Sequence, residues 1–212
     1  MMEMEQVYPI NTESILKITR RYNAKQFFEM TEDKPETERY ELIDGKVYVM
    51  SAPSVNHHRI IRKLSRKLDD YFDGRVCEPF FAPVDVVLFD KKDEDKSDEE
   101  NEENSQNVFQ PDIFVVCDPD KVSDKRIYGP PDFIIEVVSP SNSENDYIKK
   151  LYLYMQYGVR EYWIADPQTE KIFVYVKDGE AEMKADVFTF DDKIKSGIFQ
   201  DLEIDFKSLV NI

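Results

Sequence analysis

The sequence is poor in the residues and segments that mark several common protein classes. It contains only two cysteines, Cys77 and Cys117, which are too few for a disulfide framework and lack the spacing of zinc ligands. No run approaches the about 18 consecutive apolar residues of a membrane span, and residues 1–5 (MMEME) lack the pattern of a signal peptide. A glycine-rich nucleotide-binding loop is also missing. These absences favour a soluble cytoplasmic protein and argue against ATP hydrolysis and zinc-dependent deamination.

Positive charge is scarce as well. The chain has 44 acidic and 28 basic residues, and its formal net charge is -16. This balance argues against a protein that coats nucleic acid through bulk positive charge, although it leaves room for a nuclease with a locally basic contact face. The acidic residues are concentrated in residues 90–104, which read DKKDEDKSDEENEEN and contain no apolar side chain. This composition predicts a solvated, mobile acidic loop over residues 90–107.

The rest of the composition is that of a folded protein. The 212 residues are 41% hydrophobic and 13% aromatic, enough for a core in one domain spanning residues 1–212. Apolar periodicity predicts helices over residues 23–30, 54–74 and 141–158, and alternation around Asp44 and Gly45 predicts a hairpin. Apolar runs predict strands over residues 82–89, 112–117, 132–139, 161–165, 171–177 and 186–190. This order indicates an α/β domain with a mixed central sheet flanked by helices.

Two carboxylates stand in or beside the apolar runs. Glu136 lies inside FIIEVV, where a carboxylate is costly to bury unless it is paired or binds a metal. Asp112 opens another run, directly after Pro111. If the two strands are neighbours, the two carboxylates form a site of hard oxygen ligands suited to Mg²⁺ or Mn²⁺. The alternatives are an edge-strand or ion-paired Glu136 and an ordinary strand-entry Asp112.

A lysine lies on the predicted helix that follows the Glu136 strand. One face of this helix must pack back on the sheet, and Lys150 precedes Leu151 on that side, within reach of the carboxylates. The alternative is a surface ion pair with Asp146, four residues earlier, worth about 0.3–0.5 kcal/mol. Two carboxylates and a lysine on a strand–helix unit indicate phosphodiester hydrolysis. The metal would polarise the phosphate, and the lysine would orient water or stabilise the developing charge.

The order of several short segments carries a resemblance. Pro111 and Asp112 followed by Glu136 are similar to the PD-(D/E)XK nuclease motif, and the chain resembles more specifically the Uma-two-type endonucleases, a bacterial family with the restriction-endonuclease-like fold. The matching segments cover residues from about 38 to 167 in the same order as in that family. They are residues 40–45 (YELIDG), 82–86 (APVDV), 110–113 (QPDI), 131–141 (PDFIIEVVSPS) and 158–164 (GVREYWI), and the pair Asp146 and Lys150.

The resemblance implies a fold and a set of roles. It implies a core of helix, three strands, helix and strand, with Mg²⁺ bound by Asp112 and Glu136 and with Lys150 as the catalytic lysine. The superfamily lysine two positions after the acidic residue is replaced here by Val138, so the lysine has moved to the next helix. Glu41 matches an early acidic residue of the family that binds the metal or orients a ligand; otherwise it is a hairpin residue that faces solvent.

Three further residues and one helix face are secondary candidates. His57 matches a histidine of the family but is more simply a core residue, and Asp85 is either a third carboxylate or the partner of a basic group. Asp146 belongs to the family pair with Lys150. The helix over residues 54–74 also presents a basic face, which either contacts a phosphate backbone or is simply solvated. Its members are Arg59, Arg62, Lys63, Arg66 and Lys67.

Three hypotheses follow for function. The first is a metal-dependent endonuclease that hydrolyses DNA, acting as a homodimer because the two strands of a duplex are related by a dyad. The second is a nuclease-like fold that binds or assembles without turnover. The third is an interaction protein whose acidic loop binds a basic partner. Whether Lys150 joins the carboxylates distinguishes the first from the second, because fold alone does not settle function.

Overall fold

The computed structural model describes residues 20–35, 37–90, 95–139, 144–179 and 182–210. The helices, numbered α1 to α5 in chain order, are Ala24–Thr31, Val55–Phe72, Asp98–Asn104, Glu144–Tyr157 and Phe206–Val210. The strands β1 to β7 are Tyr40–Ile43, Lys46–Val49, Glu78–Phe81, Val86–Leu88, Asn107–Phe109, Ile113–Val116 and Ile127–Tyr128. The strands β8 to β13 are Phe133–Val137, Glu161–Asp166, Lys171–Asp178, Glu182–Thr189, Lys193–Lys195 and Glu203–Asp205.

The strands form two main sheets and a small ladder. A five-stranded sheet has the order β2-β1-β5-β4-β7, a six-stranded sheet has the order β11-β10-β9-β8-β6-β3, and β12 pairs with β13. Within the six-stranded sheet β6 runs antiparallel to β8, whereas β8 and β9 are parallel. This arrangement confirms the predicted mixed α/β architecture.

Helices α2 and α4 cover opposite faces of the six-stranded sheet. Ser54 caps α2, and the predicted stripe of Ile60, Leu64, Leu68 and Phe72 is buried against one face. On the other face α4 contributes its buried apolar side chains, which include Tyr154. Alternate residues of β8 and β9 enter the two cores because successive side chains of a strand point to opposite faces. Both predicted helices are therefore confirmed; residues 141–143 of the second prediction lie outside the described residues.

The hairpin between β1 and β2 has the predicted turn. Ile43 pairs with Lys46, so Asp44 and Gly45 form a two-residue loop with φ values of 49° and 71°. Positive φ at both positions is the geometry of a type I′ turn, which matches the twist of the strands. A Cβ on Gly45 would also lie 3.1 Å from the backbone oxygen of Tyr22, so this position favours glycine twice over.

The prediction of a loop over residues 90–107 is wrong for residues 98–104, which form helix α3. This helix begins after Ser97, which forms a capping box with Glu100, and it packs beside α1. Lys25 lies 3.0 Å from Glu99 and 2.8 Å from Glu103. A run of acids can form a helix here because its first-turn carboxylates meet the positive end of the helix dipole. Residues 91–94 lie outside the described residues.

The two cysteines form a single disulfide, which the sequence analysis did not predict. Glu78 of β3 pairs with Val116 of β6, and this antiparallel register brings Cys77 opposite Cys117, with 3.9 Å between the Cα atoms. The sequence carried no signal for the bond because the residues are 40 positions apart and only the strand register makes them neighbours.

No helix of the described ranges is long and apolar enough to cross a membrane.

The C-terminal segment fills the core of its own chain. Leu202, Ile204 and Phe206 are fully buried, and they pack in the cluster that contains Trp163 and the apolar side chains of α2. Strand β13 pairs with β12 and not with the six-stranded sheet. The apolar side chains of this segment are therefore buried within one chain, and dimerisation stays a prediction.

Candidate active site

A pocket of about 130 Å³ lies where the N-terminus of α2, the strands β1, β6 and β8, and the helix α4 meet. Its wall includes five of the residues singled out from the sequence. These are Glu41, His57, Asp112, Glu136 and Lys150. All five are buried, so the chain has gathered three carboxylates, a lysine and a histidine in one concave place.

Strand register brings the two predicted metal ligands together. Ile113 of β6 pairs with Ile135 of the antiparallel β8, so Asp112 and Glu136 stand directly opposite each other. The backbone N–H of Asp112 lies 3.4 Å from Glu136 Oε2, and Val137 N–H donates to Asp112 Oδ2 over 2.9 Å. The expected convergence of the two carboxylates at one end of the sheet is what the structure has.

Helix α4 delivers Lys150 to these carboxylates. Its Nζ atom donates to Glu136 Oε1 over 3.0 Å and to Glu41 Oε1 over 2.9 Å, and the residue is only 6% exposed. The helix must lay its apolar side on the sheet, and Lys150 lies on that side one turn before Tyr154. The geometric condition stated from the sequence, that Lys150 reaches Glu136, is met. The surface ion-pair alternative is excluded by this burial.

Glu41 points into the pocket and not to solvent. It is 5% exposed, and besides Lys150 its Oε1 accepts the backbone N–H of Gln110 over 3.0 Å. The hairpin alternation predicted that Tyr40 and Leu42 share a face, which leaves Glu41 on the other. That other face lines the pocket, where Lys150 of α4 contacts Glu41.

His57 is a hydrogen-bond partner of Asp112. Its Nε2 lies 3.0 Å from Asp112 Oδ2, at the start of α2 where Ser54 accepts its backbone N–H. Its Nδ1 is buried and has no hydrogen-bond partner among the described residues. A core histidine with an unpaired nitrogen is unusual because buried polar atoms are normally satisfied. His57 therefore belongs to the polar pocket.

The carboxylates differ in their electrostatic state. Burial raises the pKa of Glu136 to about 7, and the neighbouring Asp112 and Glu41 carboxylates add to this, against the opposing effect of Lys150. Burial is the largest single influence on Asp112 and would raise its pKa, but the interactions with His57, the hydrogen bond from the Val137 N–H and the charge of Lys150 together lower the pKa. The pKa of Lys150 is raised, because Glu136 and Glu41 overcome the effect of burial. Lys150 is thus a permanent cation in this pocket.

Two secondary candidates are not part of this cluster. Asp85 is half-buried beside β4 and meets the pocket only through Gln110, whose Nε2 donates to Asp85 Oδ1 over 2.9 Å. Burial raises its pKa. Asp85 is therefore the partner of a polar group and not a third carboxylate of the pocket. Asp146 lies on α4, but its side chain falls outside what the structure describes.

The basic face of α2 points away from the pocket. Arg59, Arg62, Arg66 and Lys67 are exposed on the side opposite the buried stripe, and Lys63 Nζ donates to the backbone oxygen of Leu209 over 2.5 Å. This arrangement suits a solvated helix face as well as a contact surface. It supplies no residue to the pocket wall.

Sequence reasoning missed three residues of the site. Tyr154 lies on the helix predicted over residues 141–158, and its hydroxyl donates to Glu136 Oε1 over 3.2 Å. Arg39 lines the pocket, and Gln110 connects Arg39, Glu41 and Asp85. Gln110 does lie in the segment QPDI. No sequence pattern, however, identifies a residue that matters because it contacts another residue 69 positions away.

The donor set of the pocket fits a hard cation in part. Asp112 and Glu136 supply facing carboxylates, and their crowding with Glu41 accumulates negative charge that a cation would relieve. Among the described residues no group of three or more His, Cys, Asp or Glu side chains is arranged to hold a metal ion. Mg²⁺ commonly binds through one or two carboxylates and keeps several waters, so two carboxylates beside a pocket suffice for it.

This fold and this carboxylate–lysine pocket define a protein of the restriction-endonuclease-like class. The family model described as "Putative restriction endonuclease", Uma2, matches residues 24–207. The chain therefore belongs to the Uma2 family. The match covers all five pocket residues named above, and the resemblance drawn from the sequence motifs is confirmed.

The chain is also similar to individual proteins. An uncharacterised protein of Synechocystis sp. (strain PCC 6803) is 26% identical over 151 residues, which is 71% of this chain and 72% of the relative. A second uncharacterised protein of the same organism is 24% identical over 171 residues, 79% of this chain and 88% of the relative. The crystal structure of a "putative nuclease belonging to DUF820" from Anabaena variabilis superposes with a TM-score of 0.68 at 20% identity. The superposition covers 89% of this chain and 97% of that one.

Proposed function

We propose that this protein is a metal-dependent endonuclease that hydrolyses phosphodiester bonds of DNA. One observation carries the proposal: the buried Lys150 ammonium bridges Glu41 and Glu136 beside the facing Asp112. A structural ion pair with Lys150 needs only one carboxylate, but this pocket buries three. In the absence of a bound ligand, the additional buried carboxylates destabilise the folded state. Such strained clusters in a concave place are typical of functional sites.

Each residue has a definite role in this proposal. Asp112 and Glu136 would hold Mg²⁺ or Mn²⁺, which when bound supplies a charge that polarises the phosphate and activates water. Lys150 acts as a cation and not as a base, because its raised pKa keeps the proton on Nζ. Its ammonium stabilises the negative charge that develops on the phosphoryl oxygens. Glu41 and Tyr154 hold Lys150 and Glu136 in position, and His57 does the same for Asp112.

The first experiment is calorimetric titration of Mg²⁺ and Mn²⁺ into the wild type and Glu136→Gln. We expect binding by the wild type and its loss in the variant, because a neutral amide removes one of two charged ligands. Asp132→Asn is the matched control: its carboxylate lies on the same strand–loop unit but pairs with Arg160. Cleavage of plasmid and short duplex DNA is then measured on the same three proteins. A wild type that binds neither metal would contradict the proposal and favour a catalytically silent binding protein.

Metal affinity should depend on pH around neutrality. Since the pKa of Glu136 is about 7, its ionised fraction falls about tenfold for each pH unit below that value, and metal affinity should fall with it. Above the pKa the affinity should level off. Calorimetry at pH values on both sides of 7 measures this. A flat profile would show that Glu136 is ionised throughout, and then the crowding of carboxylates described above would not govern the site.

A homodimer in solution belongs to the same proposal, since cleavage of both strands of a duplex is matched by a two-fold protein. Sedimentation of the wild type with and without a short duplex tests this expectation. A monomer in both states would limit the activity to one strand at a time.

A further inference from the structure

One arginine stands at the edge of the candidate active site without a role in the proposal above. Arg39 directly precedes β1, is half-buried, and is the only arginine that the described residues contribute to the pocket wall. It lies two residues before Glu41, so the same strand start supplies both the anionic partner of Lys150 and this cation. Its guanidinium is a rigid set of donors that matches phosphate oxygens.

The orientation of Arg39 is determined by Gln110. Arg39 Nε donates to Gln110 Oε1 over 2.8 Å, and Nη2 lies 3.5 Å from the backbone oxygen of Gln110. The Nη1 atom makes no hydrogen bond to any residue in the described part of the chain. One edge of the guanidinium is therefore held while the other edge remains able to bind an anion.

Gln110 is itself locked from the far side. Its Nε2 donates to Asp85 Oδ1 over 2.9 Å, so the amide cannot flip without losing both the Asp85 and the Arg39 contacts. Its backbone N–H holds Glu41. This chain of contacts from Asp85 through Gln110 explains the half-buried Asp85, which had no role of its own. Fixing the guanidinium in advance lowers the entropy cost of binding a ligand there.

The negative charge of the pocket explains why the unoccupied donors of Arg39 matter for binding a phosphate. Glu41, Asp112 and Glu136 would repel an incoming phosphate, and the Lys150 ammonium is already bonded to two of them. A nucleic-acid backbone that approaches this pocket therefore needs a cation that still has unoccupied donors. Arg39 is the residue of the pocket wall that meets this need.

We propose that Arg39, oriented by Gln110 and Asp85, forms a binding subsite for a backbone phosphate of the nucleic-acid substrate, beside the phosphate that is cleaved. The inference rests on the proposed nuclease function for the identity of its ligand. It does not rest on turnover, because a phosphate contact contributes to binding whether or not the bond is broken. Binding and cleavage are therefore tested separately.

The test measures binding of a fluorescent DNA duplex by anisotropy with Ca²⁺ in place of Mg²⁺, over a series of salt concentrations. Arg39→Gln should weaken binding by about tenfold to a hundredfold. It should also make the slope of log K against log salt shallower by about 0.9, the value for one phosphate contact. Arg39→Lys should keep the slope while recovering only part of the affinity, because it retains the charge without the forked donors. Arg160→Gln, which changes the net charge equally at an exposed site, is the control.

A second variant separates orientation from direct contact. Gln110→Met removes the side-chain contacts to Arg39 and Asp85 but keeps the charge of Arg39. We expect weaker binding with an unchanged salt slope. Where the wild type cleaves DNA with Mg²⁺, Arg39→Gln should raise KM much more than it lowers kcat. Thermal unfolding of each variant confirms that it is folded.

The outcomes distinguish this inference from the proposed function. Binding that depends on Arg39 in a wild type that does not cleave would support the subsite and refute the nuclease. Cleavage with a KM, affinity and salt slope that Arg39→Gln changes no more than Arg160→Gln would refute the subsite alone. A wild type that binds no duplex even at low salt would also overturn the subsite.

Discussion

Replacing Lys150 with methionine should reduce kcat for DNA cleavage by at least about a hundredfold, the scale seen when one donor to a developing negative charge is removed. It should also destabilise the folded protein by about 3 kcal/mol or more, because breaking a buried ion pair leaves carboxylates without their cation. Both effects have one cause: Nζ donates to Glu136 and Glu41 within a buried cluster. Urea unfolding and single-turnover cleavage measure them independently.

The loss of stability in this variant should grow with pH. Folding already raises the pKa of Glu136 from 4.5 to about 7, and without Lys150 it should rise further. A group whose pKa is raised by folding binds its proton more tightly in the folded state, so stability falls as pH rises from the unfolded pKa through the folded one. At pH 6 the variant can protonate Glu136 and avoid much of the cost, whereas at pH 8 it cannot.

Lys149→Met is the matched control for Lys150→Met. Lys149 is the exposed neighbour on α4, and its Nζ lies 5.7 Å from the ring centroid of Tyr48. We expect a change in stability within about 1 kcal/mol, with little dependence on pH, because an exposed cation–π contact is weak. Equal effects of the two substitutions on kcat would contradict the role given to Lys150.

Glu161→Ala should be among the most destabilising single substitutions in the chain, at about 3 kcal/mol or more. Glu161 is fully buried, yet its carboxylate accepts four hydrogen bonds. Trp163 Nε1 and Gly197 N–H donate to Oε1 over 2.7 and 3.1 Å, and Ser196 Oγ and Ile198 N–H donate to Oε2 over 2.6 and 3.1 Å. These contacts attach the segment between β12 and β13 to the beginning of β9. Alanine would remove the acceptor of the buried Trp163 and Ser196 donors and of the N–H groups of Gly197 and Ile198.

This substitution should leave the active site unchanged in the molecules that remain folded. Glu161 pairs with Phe133 at the beginning of β8, whereas Glu136 lies near its end. Metal titration of Glu161→Ala below its unfolding midpoint should therefore match the wild type. Glu203→Ala is the control, since its carboxylate makes only a 3.9 Å pair with Lys195 at the surface. That pair should contribute no more than about 1 kcal/mol. Similar losses from both substitutions would show that the buried donors find water instead.

Most of the elements could be predicted because local rules determine them. The stripe of Ile60, Leu64 and Leu68 required a helix with one buried face, and Asp44 with Gly45 required a tight hairpin turn. The loop prediction for the acidic segment was wrong because contacts outside the segment contribute to its structure. Its composition predicts solvation, but the capping box at Ser97 and the contacts of Glu102 with Arg126 and Tyr128 decide its structure. Two of these three partners lie outside the segment, so its own sequence could not reveal them.

The candidate site was predictable where its residues break a local pattern. Glu136 in an apolar strand and Asp112 after a proline are both conspicuous, and the motif order added Lys150 and Glu41. Arg39, Gln110 and Tyr154 break no pattern, because an arginine before a strand, a glutamine before a proline and a tyrosine on an apolar helix face are all ordinary. Their importance arises from what they contact.

The sequence alone determined the class of the protein, through the order of the strands and helices, the Uma2 motifs, and the residue types that the proposed phosphodiester hydrolysis would use. Tertiary structure decided how these parts meet. The antiparallel register of β6 and β8 puts Asp112 opposite Glu136, and the packing of α4 on the sheet brings Lys150 to Glu41 across 109 positions of sequence. Strand register is determined by the burial of whole strand faces, and helix docking is determined by the fit of two surfaces. Neither can therefore be predicted from any one segment of the sequence.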